Sequence, residues 1–341
     1  MRNRSDELPR SEEGVKRLLI LGDLPGDGVR RLQGSCEVEV HDGEGLGEAE
    51  LIRLIPGFHG LLTLLIHPVT ERVLAAADRL QIVANCAVGV DNIDLAAAER
   101  HGVIVTNTPD VLTADTADLT WGLILAVLRG IVSGDKYLRR GSFHGWRPKL
   151  LMGRSLAAVT LGVVGPGRIG RAVLARAPAF GVRSLYHGPS RLPEQTEREL
   201  ETEWCGLEDL LMASDVVSLH VPLNTDTRHL MDRRTLLRMK KGSFLINTAR
   251  GPLVDESALA DAVASGHLAG AGLDVYEAEP EVHPRLLELD NVVLVPHIGS
   301  ATIETRTRMA DCCFEDLYTV LVEETVPERA LVKPAPEGEK P

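Results

Sequence analysis

The sequence predicts an α/β protein of two domains, each a parallel sheet covered by helices on both faces. Three observations carry that expectation. Short apolar runs alternate with segments of helical spacing, twice over, along the chain. A long apolar helix, centred between Leu119 and Val132, interrupts the alternation. The 341 residues are enough for two cores without a disulfide or metal to hold them. Such alternation makes parallel strands, because the crossover between neighbours is then a helix.

In the first series "RLLILG" (17–22), "GLLTLLI" (60–66), "LQIVAN" (80–85) and "VIVTN" (103–107) read as buried strands. Between them "TERVLAAAD" and "DLAAAERHG" read as helices, the second closing at Gly102 as a C-cap. The residues before Phe58 add no motif. Pro109 and the polar residues Thr113 to Thr116 open the long helix, whose nearly all-round apolar surface requires burial between domains or between subunits. The second series is "VTLGVV" (159–164), "RSLYH" (183–187), "DVVSLHV" (215–221), "SFLINTA" (243–249), "LAGAGLDVY" (268–276) and "VVLV" (292–295), joined by helical segments such as "DESALADAVASGH". A final helix, about Glu304 to Glu323, has no strand after it and is expected to return to the first domain.

Lys and Arg number 37 against 49 Asp and Glu, a formal charge of −12. That argues against nucleic acid as a partner, since no basic run exceeds two residues. An anionic substrate must be held by a local positive feature. The five cysteines lack C-x-x-C spacing, which points to reduced thiols in a cytoplasmic protein. No apolar run approaches the roughly 18 residues of a membrane span. The first 16 residues hold no apolar signal core, and the closing "KPAPEGEKP" has the composition of a disordered end. No metal site is expected.

"VTLGVVGPGRIGRAV" places Gly165, Gly167 and Gly170 as G-x-G-x-x-G between a strand and a helix, with Arg168 and Ile169 inside the motif. Gly165 allows the tight turn, Gly167 lets the backbone approach a pyrophosphate, and Gly170 lets helix and strand pack closely. The helix N-terminus offers unpaired N–H groups to an anion. Dinucleotide binding follows from that context.

Three charged residues stand just beyond the carboxyl ends of strands: Arg250 after "FLINTA", Glu279 after "GAGLDVY" and His297 after "VVLVP". In an open α/β sheet those ends share the crevice that holds the dinucleotide. Their chemistry fits one reaction. A guanidinium holds a carboxylate through two hydrogen bonds and polarises a neighbouring carbonyl. A histidine gives that carbonyl oxygen a proton, and a carboxylate beside the ring fixes its tautomer and favours the imidazolium. With a nicotinamide opposite, this is hydride transfer to a 2-oxo acid.

From about Phe58 to about Glu324 the chain resembles the D-isomer-specific 2-hydroxyacid dehydrogenase family. "GVVGPGRIG", "INTARGPLVDESAL", "GAGLDVYEAEP" and "PHIGSAT" carry the resemblance, in order and at family spacing, with 279 − 250 = 29 and 297 − 279 = 18. It implies a Rossmann dinucleotide-binding domain at residues 113–302 and a flavodoxin-like substrate domain at residues 1–112, completed by residues 303–341. It also implies that Arg250 polarises the substrate, Glu279 partners the histidine, His297 is the acid/base, and Asp274 faces the nicotinamide carboxamide. Within the family the chain looks most like the glyoxylate/hydroxypyruvate reductases. That likeness implies a substrate carboxylate on the backbone of Val88 and Gly89, a pocket lined by Leu65 and Ser300, and a homodimer in which Trp146 reaches the partner's site. Read without the resemblance, Trp146 is a loop anchor packing locally.

Close alternatives are a 2-ketogluconate reductase or a phosphite dehydrogenase. Phosphite dehydrogenases resemble the chain in the Gly-Trp-x-Pro loop at residues 145–148 but carry lysine where this chain has Val88, and a small neutral residue suits a 2-oxo acid better. A scaffold that senses NAD(H), as in the family's corepressor branch, is a more distant alternative. For cofactor choice, the second strand of the dinucleotide unit ends at His187, 187 − 165 = 22 residues beyond the first glycine. No acid follows until Glu194, whereas Ser190 and Arg191 are placed to bind a 2′-phosphate. The expectation is NADPH in preference to NADH, with NADH possible.

Overall fold

The computed structural model describes residues 14–42 and 46–333. The chain divides into two compact units: the described residues up to Leu112 together with those from Ala301 onward, and Thr113–Ser300. The N-terminal segment up to residue 13 and the tail from residue 334 lie outside the described residues.

The first unit begins β1 (Lys16–Leu21), α1 (Gly28–Gln33), β2 (Cys36–His41), α2 (Glu48–Leu54), β3 (Gly60–Thr63), α3 (Glu71–Ala76), β4 (Ile82–Asn85), α4 (Leu95–Arg100) and β5 (Ile104–Thr106). The second unit runs α5 (Thr113–Arg129), α6 (Ile131–Arg139), β6 (Thr160–Val164), α7 (Arg168–Arg176), β7 (Arg183–His187), α8 (Glu194–Leu200), β8 (Thr202–Trp204), α9 (Leu207–Ala213), β9 (Val216–Leu219), α10 (Arg233–Arg238), β10 (Phe244–Asn247), α11 (Glu256–Ala264), β11 (Gly270–Leu273), α12 (Pro284–Leu287) and β12 (Val292–Leu294). The chain then returns to the first unit as α13 (Ile303–Leu321) and β13 (Ala330–Val332).

The first sheet has the order β13-β5-β4-β3-β1-β2. β1 to β5 are parallel, and β3, β4 and β5 are buried along their whole length, which is why they read as unbroken apolar runs. Two strands escape that signal. β2, "CEVEVH", is a half-exposed edge strand that alternates apolar and acidic residues. β13 follows the final helix, where no strand was expected, and pairs antiparallel with β5. Three residues make too weak a periodicity to be read, and the pairing with β5 creates the strand. α13 itself packs on β3 and β4, with Thr302 capping it through the Thr305 N–H.

The second sheet, β12-β11-β10-β9-β6-β7-β8, is parallel throughout. Strand order reverses between β6 and β9, which makes their carboxyl ends the topological switch point where such sheets bind ligands. The long apolar helix is broken at Gly130, whose backbone is left-handed (φ +60°), and α6 departs from α5 at 62°. α5 buries Trp121, Leu123, Ile124 and Leu128 against the β10–β12 face and α7 of its own unit. Among the described residues no single helix is long and apolar enough to cross a membrane.

At the switch point the glycines are required by contact. Gly165 is left-handed (φ +98°), and a Cβ there would lie 2.6 Å from the His220 carbonyl oxygen beyond β9. A Cβ on Gly170 would lie 2.1 Å from the Gly165 carbonyl oxygen, so α7 approaches β6 only without a side chain. A Cβ on Gly167 would meet nothing within 4 Å. Gly170→Ala is therefore expected to destabilise the protein by about 1–3 kcal/mol, as overpacking does. Gly167→Ala should stay within about 0.5 kcal/mol of the parent. Thermal denaturation of the two variants measures the contrast, and equal losses would contradict it.

Candidate active site

β10, β11 and β12 lie side by side, in a register that sets Asn247 opposite Leu273 and Leu273 opposite Leu294. One row across the sheet thus ends all three strands, each about 4.8 Å from the next. Arg250 stands 250 − 247 = 3 residues beyond that row, His297 stands 297 − 294 = 3, and Glu279 stands 279 − 273 = 6. Residues 47 apart in sequence, Arg250 and His297, start from the same edge.

Each exit from the row is tied by a polar side chain. Asn247 donates from Nδ2 to the Arg250 carbonyl (2.8 Å) and accepts the Ala249 N–H (3.1 Å), closing the turn into Arg250. The Arg250 guanidinium donates from Nη1 to the Ala249 carbonyl (2.7 Å). The turn after β12 is wrapped round Asp274. The Asp274 carbonyl accepts the His297 N–H (2.8 Å), and its carboxylate accepts the N–H groups of Ile298 (2.6 Å) and Gly299 (2.8 Å). Those contacts hold His297 in the left-handed region (φ +52°), which few residues with a side chain adopt. Thr116 of α5 donates to the Gly299 carbonyl (3.2 Å), and the Tyr276 hydroxyl to the Val295 carbonyl (2.8 Å).

So placed, His297 Nδ1 lies 2.8 Å from Glu279 Oε2, and the other Glu279 oxygen accepts the Tyr276 N–H (3.0 Å). Burial pushes Glu279 upward, but the hydrogen bond and charge of His297, with help from Tyr276 N–H and Arg250, outweigh it and hold the carboxyl below its ordinary value. An ionised Glu279 only accepts, so Nδ1 carries the hydrogen and Nε2 is left to exchange a proton with a substrate. Asp274 is different. It is 1 % exposed, and burial lifts its carboxyl to about 6 despite the two backbone N–H groups and the neighbouring His297.

The glycine turn fits a dinucleotide. The exposed Gly167 has open space where a Cβ would be, at the N-terminus of the nine-residue α7, whose first N–H groups lack helical partners. Arg168 is exposed beside it and Ile169 packs partly into the core. The loop after β7 lies against this turn, since a Cβ on Gly188 would sit 2.7 Å from Pro166. Ser190 and Arg191 follow, both exposed. Arg191 is already engaged: Nε and Nη2 form a side-on pair with the buried Glu197 at 2.7–3.0 Å, and the Tyr186 hydroxyl donates to the same carboxylate (2.6 Å). Those two partners hold Glu197 below the ordinary carboxylate range.

In the first unit Leu65 is half-buried in the turn after β3, and Val88 and Gly89 form the loop after β4. The carbonyls of that loop are taken by amide side chains, Val88 by Asn107 (2.7 Å) and Gly89 by Asn85 (2.8 Å). Among the described residues no acceptor takes their N–H groups. Ser300, half-buried, closes the second unit. Trp146 is 81 % exposed, which overturns the reading of it as a local loop anchor.

Sequence reasoning missed Asn247, Glu197 and Glu256. Asn247 had a signal, a polar residue ending an apolar strand two positions before Ala249. Glu197 and Glu256 had none beyond a place in the first turn of a helix, where acids are common.

The raised Asp274 carboxyl makes a testable demand on stability. The folded state favours its protonated form, so its stabilising contribution is complete below the ordinary carboxylate value near 4 and is lost as pH rises through about 6. The Tm difference between the parent and Asp274→Asn should accordingly shift against the parent between pH 4 and pH 7. A difference that stays flat across that window would contradict the assignment.

Residues 121–299 match the NAD binding domain of the D-isomer specific 2-hydroxyacid dehydrogenases. A glyoxylate reductase of Thermococcus onnurineus is 44% identical over 306 residues, 88% of this chain and 91% of that protein. A solved structure of a Thermus thermophilus protein superposes with a TM-score of 0.87 at 45% identity, over 93% of this chain and 100% of that one. The NADPH-dependent glyoxylate/hydroxypyruvate reductase of Sinorhizobium meliloti, in complex with NADP and malonate, superposes with a TM-score of 0.81 at 31% identity, over 96% and 100% of the two chains. Identity at this level over most of both chains, on the same two parallel sheets, leaves one conclusion: the chain belongs to the D-isomer-specific 2-hydroxyacid dehydrogenase family, the NAD(P)-dependent enzymes that interconvert small 2-oxo and 2-hydroxy acids.

Proposed function

We propose that this enzyme reduces glyoxylate and hydroxypyruvate to glycolate and D-glycerate, with NADPH preferred and NADH accepted. The observation that carries the reading is the Glu279–His297 contact of 2.8 Å, on the same sheet edge as the Arg250 turn and in the same unit as the glycine turn. The N–H groups of Val88 and Gly89, left without acceptors among the described residues, suit a substrate carboxylate. Arg250 binds the carboxylate and polarises the 2-oxo group. When bound, the nicotinamide supplies the hydride to carbon 2. The proton that completes the alcohol comes from His297 Nε2, and Glu279 steadies the imidazolium through Nδ1. Asp274 holds the turn and is the residue assigned to the nicotinamide carboxamide. Malonate in the Sinorhizobium neighbour supports a small carboxylate as ligand. Val88, in place of a lysine, weighs against a phosphite dianion.

A homodimer is part of the proposal. Phe143, Trp146, Leu151 and Met152 expose large apolar side chains within one ten-residue stretch, surface that water disfavours and a second copy would cover. A cytoplasmic place agrees with the five unpaired cysteines. The NADPH preference rests on Ser190 and Arg191. The side-on pair with Glu197 uses Nε and Nη2 of Arg191 and leaves Nη1 for a phosphate.

Two measurements test this. His297→Ala should lower kcat for glyoxylate reduction by roughly 10²–10⁴-fold while cofactor affinity hardly changes; an unaltered kcat would return His297 to a turn residue. The parent should prefer NADPH by at least about tenfold in kcat/KM, about 1.4 kcal/mol, and Arg191→Ala should erase most of that through KM for NADPH. Equal or better use of NADH by the parent would end the NADPH reading.

A further inference from the structure

Glu256 is the second residue of "DESAL" and opens α11, where an acid ordinarily faces water and complements the helix dipole. Here it is 5 % exposed, and both oxygens bind another segment. Oε1 accepts the Glu277 N–H at 2.7 Å and Oε2 accepts the His283 N–H at 3.2 Å. Between those two amides the chain folds back on itself, with Ala278 bridged to Glu281 and the Glu281 N–H donating to the Ala278 carbonyl (2.9 Å). The tip of that turn carries Glu279. Glu256 therefore grips both legs of the turn whose tip touches His297.

Two further contacts act on the same backbone. The Glu277 carboxylate meets His229 Nε2 at 2.5 Å and Arg228 at 3.7 Å. A Cβ on Gly251 would lie 1.8 Å from the Tyr276 carbonyl oxygen, so the Arg250-Gly251 turn is pressed onto the start of the Glu279 loop. α11 follows that turn directly after the short 3₁₀ segment Gly251–Leu253. One buried carboxylate thus ties the chain leaving Arg250 to the loop bearing Glu279.

We propose that Glu256 is a positioning residue for the reaction, setting the distance between Glu279 and His297 by clamping the two legs of the Glu279 turn. The inference rests on the reading of His297 as proton donor. Glu256 touches neither partner of the pair and acts through backbone amides alone.

Kinetics of Glu256→Ala, Glu256→Gln and His297→Ala, with glyoxylate and NADPH across pH, test it. A displacement of about 1 Å at a reacting group costs on the order of 10²-fold, so Glu256→Ala should lose roughly 10–100-fold in kcat with little change in either KM. The pH profile gives a readout that simple loss of packing would not move. Glu279 faces His297 across the gap, Arg250 from the neighbouring turn, and Asp274 and Tyr276 from its own segment. His297 is the partner that holds it low, so a displaced Glu279 takes up a proton at higher pH, and the acid limb of kcat should move upward. Gln keeps a carbonyl oxygen for the Glu277 N–H and loses the acceptor for His283, so Glu256→Gln should recover most of kcat and of the limb. A folded Glu256→Ala with parental kcat and limb overturns the proposal, as does a joint loss of kcat and KM with the limb unmoved. If the alanine variant does not fold, Glu256→Gln decides: a partial fall in kcat with a partial limb shift supports clamping, and parental values overturn it. An inactive His297→Ala beside an unaltered Glu256→Ala refutes this inference alone, whereas a fully active His297→Ala removes the proton-donor reading and this inference with it.

Discussion

The row that sets Asn247, Leu273 and Leu294 opposite one another is the constraint on which the active site depends. Parallel pairing fixes the register because these strands are buried, and a slip of one residue would turn every side chain to the opposite face. Once the row is set, three chain exits leave the sheet from adjacent positions, and the only remaining freedom is the path of each exit. A polar side chain removes that freedom in every case: Asn247 for the Arg250 turn, Asp274 for the His297 turn and Glu256 for the Glu279 loop. These three turns are held by side chain to backbone hydrogen bonds.

Those three residues also satisfy the backbone of the site. Each turn exposes backbone N–H groups with no partner in a strand or helix, and leaving one buried without an acceptor costs roughly 1–3 kcal/mol. A carboxylate has room for several donors and satisfies two amides at once, as Asp274 and Glu256 both do. Burial of that charge has its own cost, visible in the upward shift of Asp274. Glu279 escapes the same fate because its partner is a titratable ring and not a backbone amide alone. The difference sorts two neighbouring carboxyls into a brace for backbone amides and a partner for the His297 ring.

In the glycine turn the backbone is positioned instead by the omission of side chains. Gly165 and Gly170 are small because backbone atoms of His220 and of Gly165 itself occupy the space a side chain would need. Gly167 differs, since among the described residues nothing lies within 4 Å of where its Cβ would be. A motif with three identical letters therefore contains two packing glycines and one that no described residue crowds.

Much of this was legible in the sequence. Buried parallel strands announce themselves as apolar runs, so β3, β4 and the strands of the second sheet other than β8 were readable, as was the alternation that makes the sheets parallel. Arg250, Glu279 and His297 were singled out because each follows such a run, a purely local signal. β2, β8 and β13 were missed because an edge strand owes its form to a neighbour and not to its own hydrophobicity. The partners were hidden for a related reason. Nothing in "SRLPEQTE" says that Glu197 folds back onto Arg191, and nothing in "DESAL" says that Glu256 reaches amides 21 and 27 residues further on. The sequence by itself determined which chemical groups stand at the strand ends, because strand ends are set by short-range pattern. Only the tertiary structure decided which group touches which, because hydrogen bonds between segments depend on sheet register and helix placement, quantities that no local window of residues contains.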